Sequence, residues 1–89
     1  MKQLVVFTMQ GCSHCQDFKK ILSESNVEFV NRDIHEHSDE YQMFAKVKND
    51  LVPAFMIVDD NDTSKSGLFA PDQDYRTLEE ALNIIKEKL

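Results

Sequence analysis

The chain is poor in the features that mark several protein classes. Its 89 residues include no tryptophan, two cysteines, two glycines and two prolines. No apolar run approaches the roughly 20 residues that span a bilayer, so we expect no association with a membrane. The chain also lacks a basic surplus. Its formal net charge of −6 disfavours nucleic-acid binding, because contacts to phosphate need clustered lysine and arginine.

Composition and length indicate one small globular domain. Hydrophobic residues make up 42% of the chain and charged residues 29%, which is unlike a disordered tract. With no linker and no internal repeat, we expect a single domain over residues 1–89 that acts as a monomer. Met1-Lys2-Gln3 leads into a short apolar run without a small-residue cleavage site, so we expect no signal peptide and a reducing, cytoplasmic location. In that compartment paired cysteines are more often catalytic or metal-binding than structural.

The two cysteines form the motif Cys12-Ser13-His14-Cys15 between two different hydrophobic patterns. The run at residues 4–7 is apolar throughout and predicts a buried, central strand. After the motif, Phe18, Ile21 and Leu22 recur at helical spacing. A C-x-x-C motif at such a strand-to-helix junction is the sequence form of a thioredoxin-like redox site. The motif therefore predicts a disulfide that closes and reopens during thiol–disulfide exchange.

Hydrophobic periodicity predicts the element order βαβαββα. Strands are predicted over residues 3–9, 27–34, 54–58 and around 67–69, with turn chemistry at 59–62. Helices are predicted over 13–25, from an N-cap at Ser38 to about 49–50, and over 74–88, where Asp72 or Asp74 is the expected N-cap. The core side chains expected from the last two helices are Tyr41, Phe44, Ala45, Val47, Leu78, Ala81, Leu82, Ile85 and Leu89.

The dipeptide Val52-Pro53 stands directly before the third predicted strand. Together with the element order and the position of the C-x-x-C motif, it makes the chain resemble the glutaredoxin family over essentially its whole length. The resemblance implies an α/β, thioredoxin-like fold in which a four-stranded mixed sheet is flanked by three helices. It also implies a cis proline at Pro53 that faces the cysteines.

Two subgroups of that family share features with the chain. Typical dithiol glutaredoxins have Cys-Pro-Tyr-Cys, a lysine just upstream and Gly-Gly after the hairpin, where this chain has Ser66-Gly67. The segment 66–72 is similar to the Ser-Gly-Phe-x-Pro-Asp tail of NrdH-type redoxins, which take electrons from thioredoxin reductase and pass them to ribonucleotide reductase. The resemblance implies disulfide-containing protein substrates and leaves glutathione or thioredoxin reductase as the electron donor. It also gives Asp72 and Asp74 an alternative role, as partners of a ligand's amino group.

Each residue of the C-x-x-C motif has an expected role. Cys12 is predicted to be the exposed attacking thiolate, because the N-terminal end of a helix stabilises an anion. Cys15, one turn further on, is predicted to be buried and to resolve the mixed disulfide. His14, with Ser13 beside it, is predicted to tune this chemistry, since the C-x-H-C form resembles protein disulfide isomerase, where the histidine favours the thiolate. The alternative is a solvated histidine on the outer side of the helix.

Residues around the motif have substrate-contacting roles by the same resemblance. Val52 would offer its backbone to an extended substrate, as in strand addition. Thr8 and Gln10 would line the approach to Cys12, with an ordinary strand residue and an ordinary loop residue as the alternatives. Gly67 would contact substrate from the position of the family's Gly-Gly.

A metal site is the strongest alternative of another class. Cys12 and Cys15 with His35 and His37 would supply the Cys₂His₂ set that zinc prefers, although His-x-His is not the usual spacing. Iron–sulfur bridging by a dimer with bound glutathione is a further alternative. The resemblance favours no tightly bound cofactor or metal, with glutathione as a co-substrate.

Overall fold

The computed structural model describes residues 2–59 and 67–89. Their elements follow the predicted order: β1 (Lys2–Thr8), α1 (Ser13–Glu24), β2 (Val30–Asp33), α2 (Ser38–Val47), β3 (Ala54–Asp59), β4 (Gly67–Phe69) and α3 (Leu78–Lys88). Of the turn expected at 59–62, Asp59 ends β3 and residues 60–62 lie outside the described residues. Among the helices described, none is long and apolar enough to cross a membrane.

The four strands form one mixed sheet in the order β2-β1-β3-β4. β1 pairs in parallel with β2 and antiparallel with β3, and β3 pairs antiparallel with β4. β1 therefore has a neighbour on each side, and its apolar run is explained because both of its faces are covered. The predicted mixed sheet with a central first strand is confirmed.

Alternation along β1 divides the core into two clusters, one on each face of the sheet. Leu4 and Val6 point to the face covered by α1 and α3, where Phe18, Leu22, Phe55 and Ile85 are buried. Val5 and Phe7 point to the face covered by α2, where Tyr41 and Phe44 are buried. Since successive side chains of a strand face opposite ways, one five-residue buried run supplies both cores.

β2 is shorter than the sequence predicts. The parallel ladder with β1 begins at the pair Val5 and Val30, so residues 27–29 are not part of the strand. Val27 and Phe29 are nevertheless half-buried and pack against the first core cluster. Their apolar character comes from this packing rather than from strand pairing, which explains why the predicted start at residue 27 is wrong.

Both ends of α2 differ from the expectation. His37, not Ser38, is the N-cap residue, and its side chain makes no capping hydrogen bond. The helix ends at Val47, whose side chain is 67% exposed instead of facing the core. Tyr41 and Phe44 are buried as predicted.

The third helix begins later than predicted, at Leu78. Its N-cap is Thr77, whose hydroxyl accepts the Glu80 N–H at 3.1 Å. The predictions of Asp72 or Asp74 as the cap are therefore wrong. The stripe buries Ala81 and Ile85 and half-buries Leu78 and Leu82, while Leu89 is 47% exposed.

Candidate active site

Cys12 is the N-cap residue of α1. Its backbone is extended, with φ −89° and ψ 107°, and its Sγ accepts a hydrogen bond from the backbone N–H of Cys15 at 3.1 Å. A sulfur thus occupies the place of the usual N-cap oxygen. The first turn of α1, which is described throughout, carries no acidic side chain. Free N–H groups and the helix dipole therefore favour an anion at this sulfur once the disulfide is reduced.

Cys12 and Cys15 are joined as a disulfide, with their Cα atoms 5.2 Å apart. Cys12 is partly exposed, whereas Cys15 is 1% exposed on the inner face of α1. An incoming thiol or disulfide therefore reaches Cys12 first. This asymmetry supports the roles predicted for the two cysteines, and the roles themselves stay predictions.

The loop before the motif turns sharply and leaves its side chains open. Gly11 has φ +77°, a left-handed conformation that glycine adopts without a Cβ clash. Cys12 donates its N–H to the carbonyl of Met9 at 3.3 Å, which closes this turn. Met9 is 37% exposed and Gln10 is also exposed. Gln10 is therefore open to a substrate, and its predicted contact stays a prediction.

Ser13 and His14 are the first two residues of α1, and both are exposed. Within the described residues neither side chain makes a hydrogen bond, an ion pair or a ring contact. His14 therefore lies in solvent one residue from the motif's buried cysteine. That position fits both the tuning role and the solvated alternative.

Thr8 ends β1, next to the loop. It is 3% exposed, and its hydroxyl donates to Oδ1 of Asn31 at 2.7 Å on the neighbouring strand. With its surface covered and its hydroxyl engaged, Thr8 fits the alternative of an ordinary strand residue better than that of a substrate contact.

The Val52–Pro53 peptide bond is cis, as the resemblance implied. Pro53 is buried and directly precedes Ala54, which pairs with Phe7 near the end of β1. Val52 and Pro53 therefore lie at the end of the sheet where β1 passes into the cysteine loop. Among the residues described, no backbone hydrogen bond involves Val52. Its N–H and C=O are available to a ligand, which supports the predicted backbone contact.

Tyr75 holds the proline from inside the fold. Its hydroxyl donates a hydrogen bond to the carbonyl oxygen of Pro53, and the residue is 4% exposed. Burial raises the pKa of Tyr75, and the nearby Asp74 carboxylate raises it further. The phenol therefore stays protonated and remains a donor at physiological pH.

An ion pair joins the end of α2 to the turn that carries Tyr75. Lys48 Nζ lies 3.0 Å from Oδ2 of Asp74, and each side chain is about a quarter exposed. The same Oδ2 accepts the backbone N–H of Ala70 at 2.9 Å. Asp74 thus organises a turn, which is a different role from the helix cap predicted for it. With its carboxylate engaged by Lys48 and Ala70, Asp74 is also a poor partner for a ligand's amino group.

Two side-chain amides add further hydrogen bonds between the end of α2 and the turn that carries Tyr75. Asn49 donates from Nδ2 to the carbonyl of Pro71 at 2.8 Å, and Gln73 donates from Nε2 to the carbonyl of Lys48 at 3.0 Å. We call residues 48–53 together with residues 70–75 the proline clamp. The clamp ties three elements to the segment that precedes β3: the end of α2, the end of β4 and the turn before α3.

Gly67 is not brought to the cysteines. It pairs with Ile57, which pairs in turn with Leu4, and β1 reaches the cysteine loop only four residues later, about 13 Å away. The register therefore argues against Gly67 as a substrate contact. A Cβ at this position would lie 2.8 Å from the ring of Phe69, so the glycine makes room for that aromatic side chain.

The proposed zinc set is not assembled. In the described part of the chain, no three His, Cys, Asp or Glu side chains are grouped so that they could hold a metal ion. Cys12, Cys15, His35 and His37 all belong to that part. His37 instead lies with its Nδ1 3.4 Å from Arg32, which also bonds to Glu40.

Sequence reasoning missed the proline clamp. Tyr75 was open to detection, since it is a single aromatic residue within the polar run 72–76 and such an isolated ring commonly faces inward. Lys48, Asn49 and Gln73 carry no comparable signal, because each looks like a solvated polar residue until the fold brings distant segments together.

Comparison with known proteins agrees with this architecture. The family model described as Glutaredoxin matches residues 4–61. No curated protein matches the chain. Among solved structures, the chain is similar to the first thioredoxin domain of mouse protein disulfide-isomerase A4, with 21% identity and a TM-score of 0.60. The match covers 97% of this chain and 61% of that one, and it shows a shared thioredoxin-like fold.

Proposed function

The chain belongs to the glutaredoxin family of thiol–disulfide oxidoreductases, and from that premise we propose that it reduces protein disulfides through a dithiol cycle of Cys12 and Cys15. In the cycle, the Cys12 thiolate attacks one sulfur of a substrate disulfide and releases the other as a thiolate. The Cys15 thiol, as thiolate, then attacks the Cys12 sulfur of the mixed disulfide. The substrate leaves with both thiols reduced, and the protein holds the Cys12–Cys15 disulfide.

One observation carries the proposal: the two sulfurs differ in access while they share one helix turn. Cys12 is partly exposed and receives a backbone N–H, and Cys15 is 1% exposed. Attack from outside is therefore directed to Cys12, and resolution from within is directed to Cys15. A structural disulfide does not require this combination of a helix N-terminus and one open sulfur.

The Val52 backbone gives the substrate a place to dock. Its unpaired N–H and C=O lie beside the cysteine loop, and an extended peptide can bond to them as an added strand. Pro53 offers no N–H of its own, so the pairing is confined to Val52. We propose substrates that present their disulfide on an extended segment, with ribonucleotide reductase as one candidate target.

Two electron donors are candidates for regenerating the dithiol, and the rate of NADPH consumption distinguishes them. The family generally uses glutathione, while the resemblance of residues 66–72 to NrdH-type redoxins favours thioredoxin reductase. The assay supplies one disulfide substrate with either glutathione plus glutathione reductase or thioredoxin reductase alone. We expect turnover with thioredoxin reductase, because Asp74, a candidate partner for the amino group of glutathione, is already neutralised by Lys48. Turnover with glutathione alone contradicts the choice of donor, and no turnover with either contradicts the dithiol cycle.

A reducing cytoplasm and a monomeric state are part of the same proposal. A partly exposed thiol pair that cycles needs surroundings that regenerate the dithiol. Cell fractionation with the redox state of Cys12 and Cys15 trapped by alkylation tests the location. A pair that is oxidised throughout, in a secreted fraction, contradicts it. Light scattering tests the oligomeric state.

A further inference from the structure

We propose that Tyr75 is a positioning residue of the redox site, whose hydroxyl fixes the Val52–Pro53 segment on which a disulfide substrate docks. The inference rests on the proposed function, since positioning matters only if a substrate binds there. It concerns the hydroxyl group of Tyr75, whereas the ring is part of the hydrophobic core.

Pro53 can be anchored through only one backbone group. Proline has no N–H, so its carbonyl oxygen is the single backbone atom by which hydrogen bonding can hold it. Within the described residues, Tyr75 supplies the hydrogen bond to that oxygen. Val52, the residue before, has no backbone hydrogen bond there, so its orientation depends on the anchored residues on either side, most of all on Pro53.

The ring of Tyr75 is itself fixed. It stacks on Phe55 with centroids 5.4 Å apart and planes inclined by 24°, and Phe55 belongs to β3 only two residues after Pro53. The ring is therefore held against the rigid strand, and its hydroxyl reaches the segment that leads into that strand. Because the residue is buried, water competes little for the bond.

The turn that carries Tyr75 is braced at several points. The carbonyl of Tyr75 accepts the N–H of Asp72 at 2.8 Å, and Asp74 donates its N–H to the carbonyl of Ala70 at 3.0 Å. The ion pair from Asp74 to Lys48 extends the brace to α2. A displacement of the Pro53 carbonyl would therefore strain a turn connected to two other elements, and this connection is what makes Tyr75 suited to positioning.

Steady-state kinetics with insulin as the disulfide substrate and dithiothreitol as the reductant tests the role of the hydroxyl. Tyr75→Phe removes the hydroxyl and keeps the stacked ring. We expect the KM for insulin to rise about fivefold, the scale of one hydrogen bond, with kcat unchanged. The rate at which iodoacetamide alkylates reduced Cys12 should not change either, because that small reagent does not dock on Val52.

Tyr41→Phe is the matched control. It also removes the hydroxyl of a buried tyrosine, one whose long 3.4 Å hydrogen bond goes to the Leu51 carbonyl, on the other side of Val52 from Pro53. Its KM should equal the wild-type value, since the bond is long and weak. Asp74→Asn, which loosens the turn without altering Tyr75, should raise KM in the same direction as Tyr75→Phe by about twofold.

Three results would overturn the inference. An unchanged KM in Tyr75→Phe shows that the hydroxyl positions nothing. A fall in kcat and in the rate of Cys12 alkylation, together with the rise in KM, shows a general structural role. If Tyr75→Phe does not fold, a wild-type KM in Asp74→Asn decides against positioning. If the wild-type protein does not accelerate insulin reduction over dithiothreitol alone, the proposed function is contradicted instead. The two failures are therefore distinguishable.

Discussion

The cysteine loop with the start of α1 and the proline clamp meet at one end of the sheet, and they are built in opposite ways. The cysteine side, residues 9–15, is closed by a backbone bond from Cys12 to Met9 and leaves most of its side chains exposed. The proline clamp is held by an ion pair, two amide side chains and a buried phenol. The side that changes covalent state is lightly held, and the side that has only to present a backbone is braced.

This difference separates two tasks within one site. Reduction and oxidation alternately break and form the Cys12–Cys15 bond, so the loop around it has to accommodate two states. The proposed docking of a substrate at Val52 would gain from a backbone that is already in place, because ordering it on binding would cost affinity. We therefore expect changes on the cysteine side to alter redox chemistry and changes in the clamp to alter KM.

The largest effect is expected from the cysteines themselves. Cys12→Ser should reduce disulfide turnover to background, because a serine hydroxyl does not form the mixed disulfide. In Cys15→Ser, Cys12 should still attack the substrate disulfide, but the mixed disulfide should not be resolved. The protein should therefore remain as a covalent adduct with the substrate. Mass spectrometry of non-reduced samples measures the adduct. Adducts that form on Cys15 in the Cys12→Ser protein would reverse the assigned roles.

Phe55 contacts residues of both α1 and the proline clamp, and its truncation should destabilise the protein. Its ring lies 5.9 Å from that of Phe18 on the redox helix, 5.4 Å from Tyr75 of the clamp and 4.9 Å from Phe69. Phe55→Ala should lower the free energy of unfolding by about 3–5 kcal/mol, through lost burial and the cavity left behind. Urea unfolding measures the loss.

Met43→Ala serves as the control for Phe55→Ala. Met43 is 71% exposed, so its truncation should change the stability by less than about 0.5 kcal/mol. Equal losses from the two substitutions would contradict the expected contribution of the Phe55 ring to stability.

His14 tests the cysteine side alone. We predict that the His14 imidazole, two residues after Cys12, favours the thiolate and therefore the dithiol state, so His14→Tyr should make the protein more reducing. A shift of about 30 mV corresponds to about 1.4 kcal/mol in this two-electron couple. Equilibration with glutathione redox buffers measures the potential. Gln16→Ala, at another exposed position of α1, should leave the potential unchanged, and the KM for insulin should not move in either variant.

Asp74→Asn tests the clamp alone and should have only a small effect on stability. Lys48 and Asp74 are about a quarter exposed, so the pair should contribute no more than about 1 kcal/mol. The asparagine oxygen can still accept from Ala70. We expect a small loss of stability that shrinks as salt is added, with an unchanged redox potential. A changed potential would mean that the two sides are coupled.

The parts of the site that sequence predicted are those coded by neighbouring residues. Cys12 and Cys15 stand three positions apart at a strand-to-helix junction, and Val52-Pro53 is a dipeptide, so both are visible in the chain. The start of β2 was misplaced because Val27 and Phe29 are apolar for packing, a purpose that periodicity does not distinguish from pairing.

The parts that stayed hidden depend on contacts between distant segments. Lys48 and Asp74 are 26 positions apart, and their ion pair follows from how α2 and the turn before α3 meet at the edge of the sheet. The late start of α3 has the same origin, since residues 70–75 are committed to the clamp and Thr77 is the first residue free to cap. A window of local sequence does not contain this information.

The 1% exposure of Cys15 makes it an intrinsic reporter of opening in the reduced protein. A thiol reagent in the native state should add one label per molecule, at Cys12, and the second label should appear only as α1 lifts from the sheet. The rate of that second addition measures the free energy of local opening, in the same way as hydrogen exchange at a buried amide. The residue predicted to resolve the mixed disulfide thus also measures how firmly its helix is held.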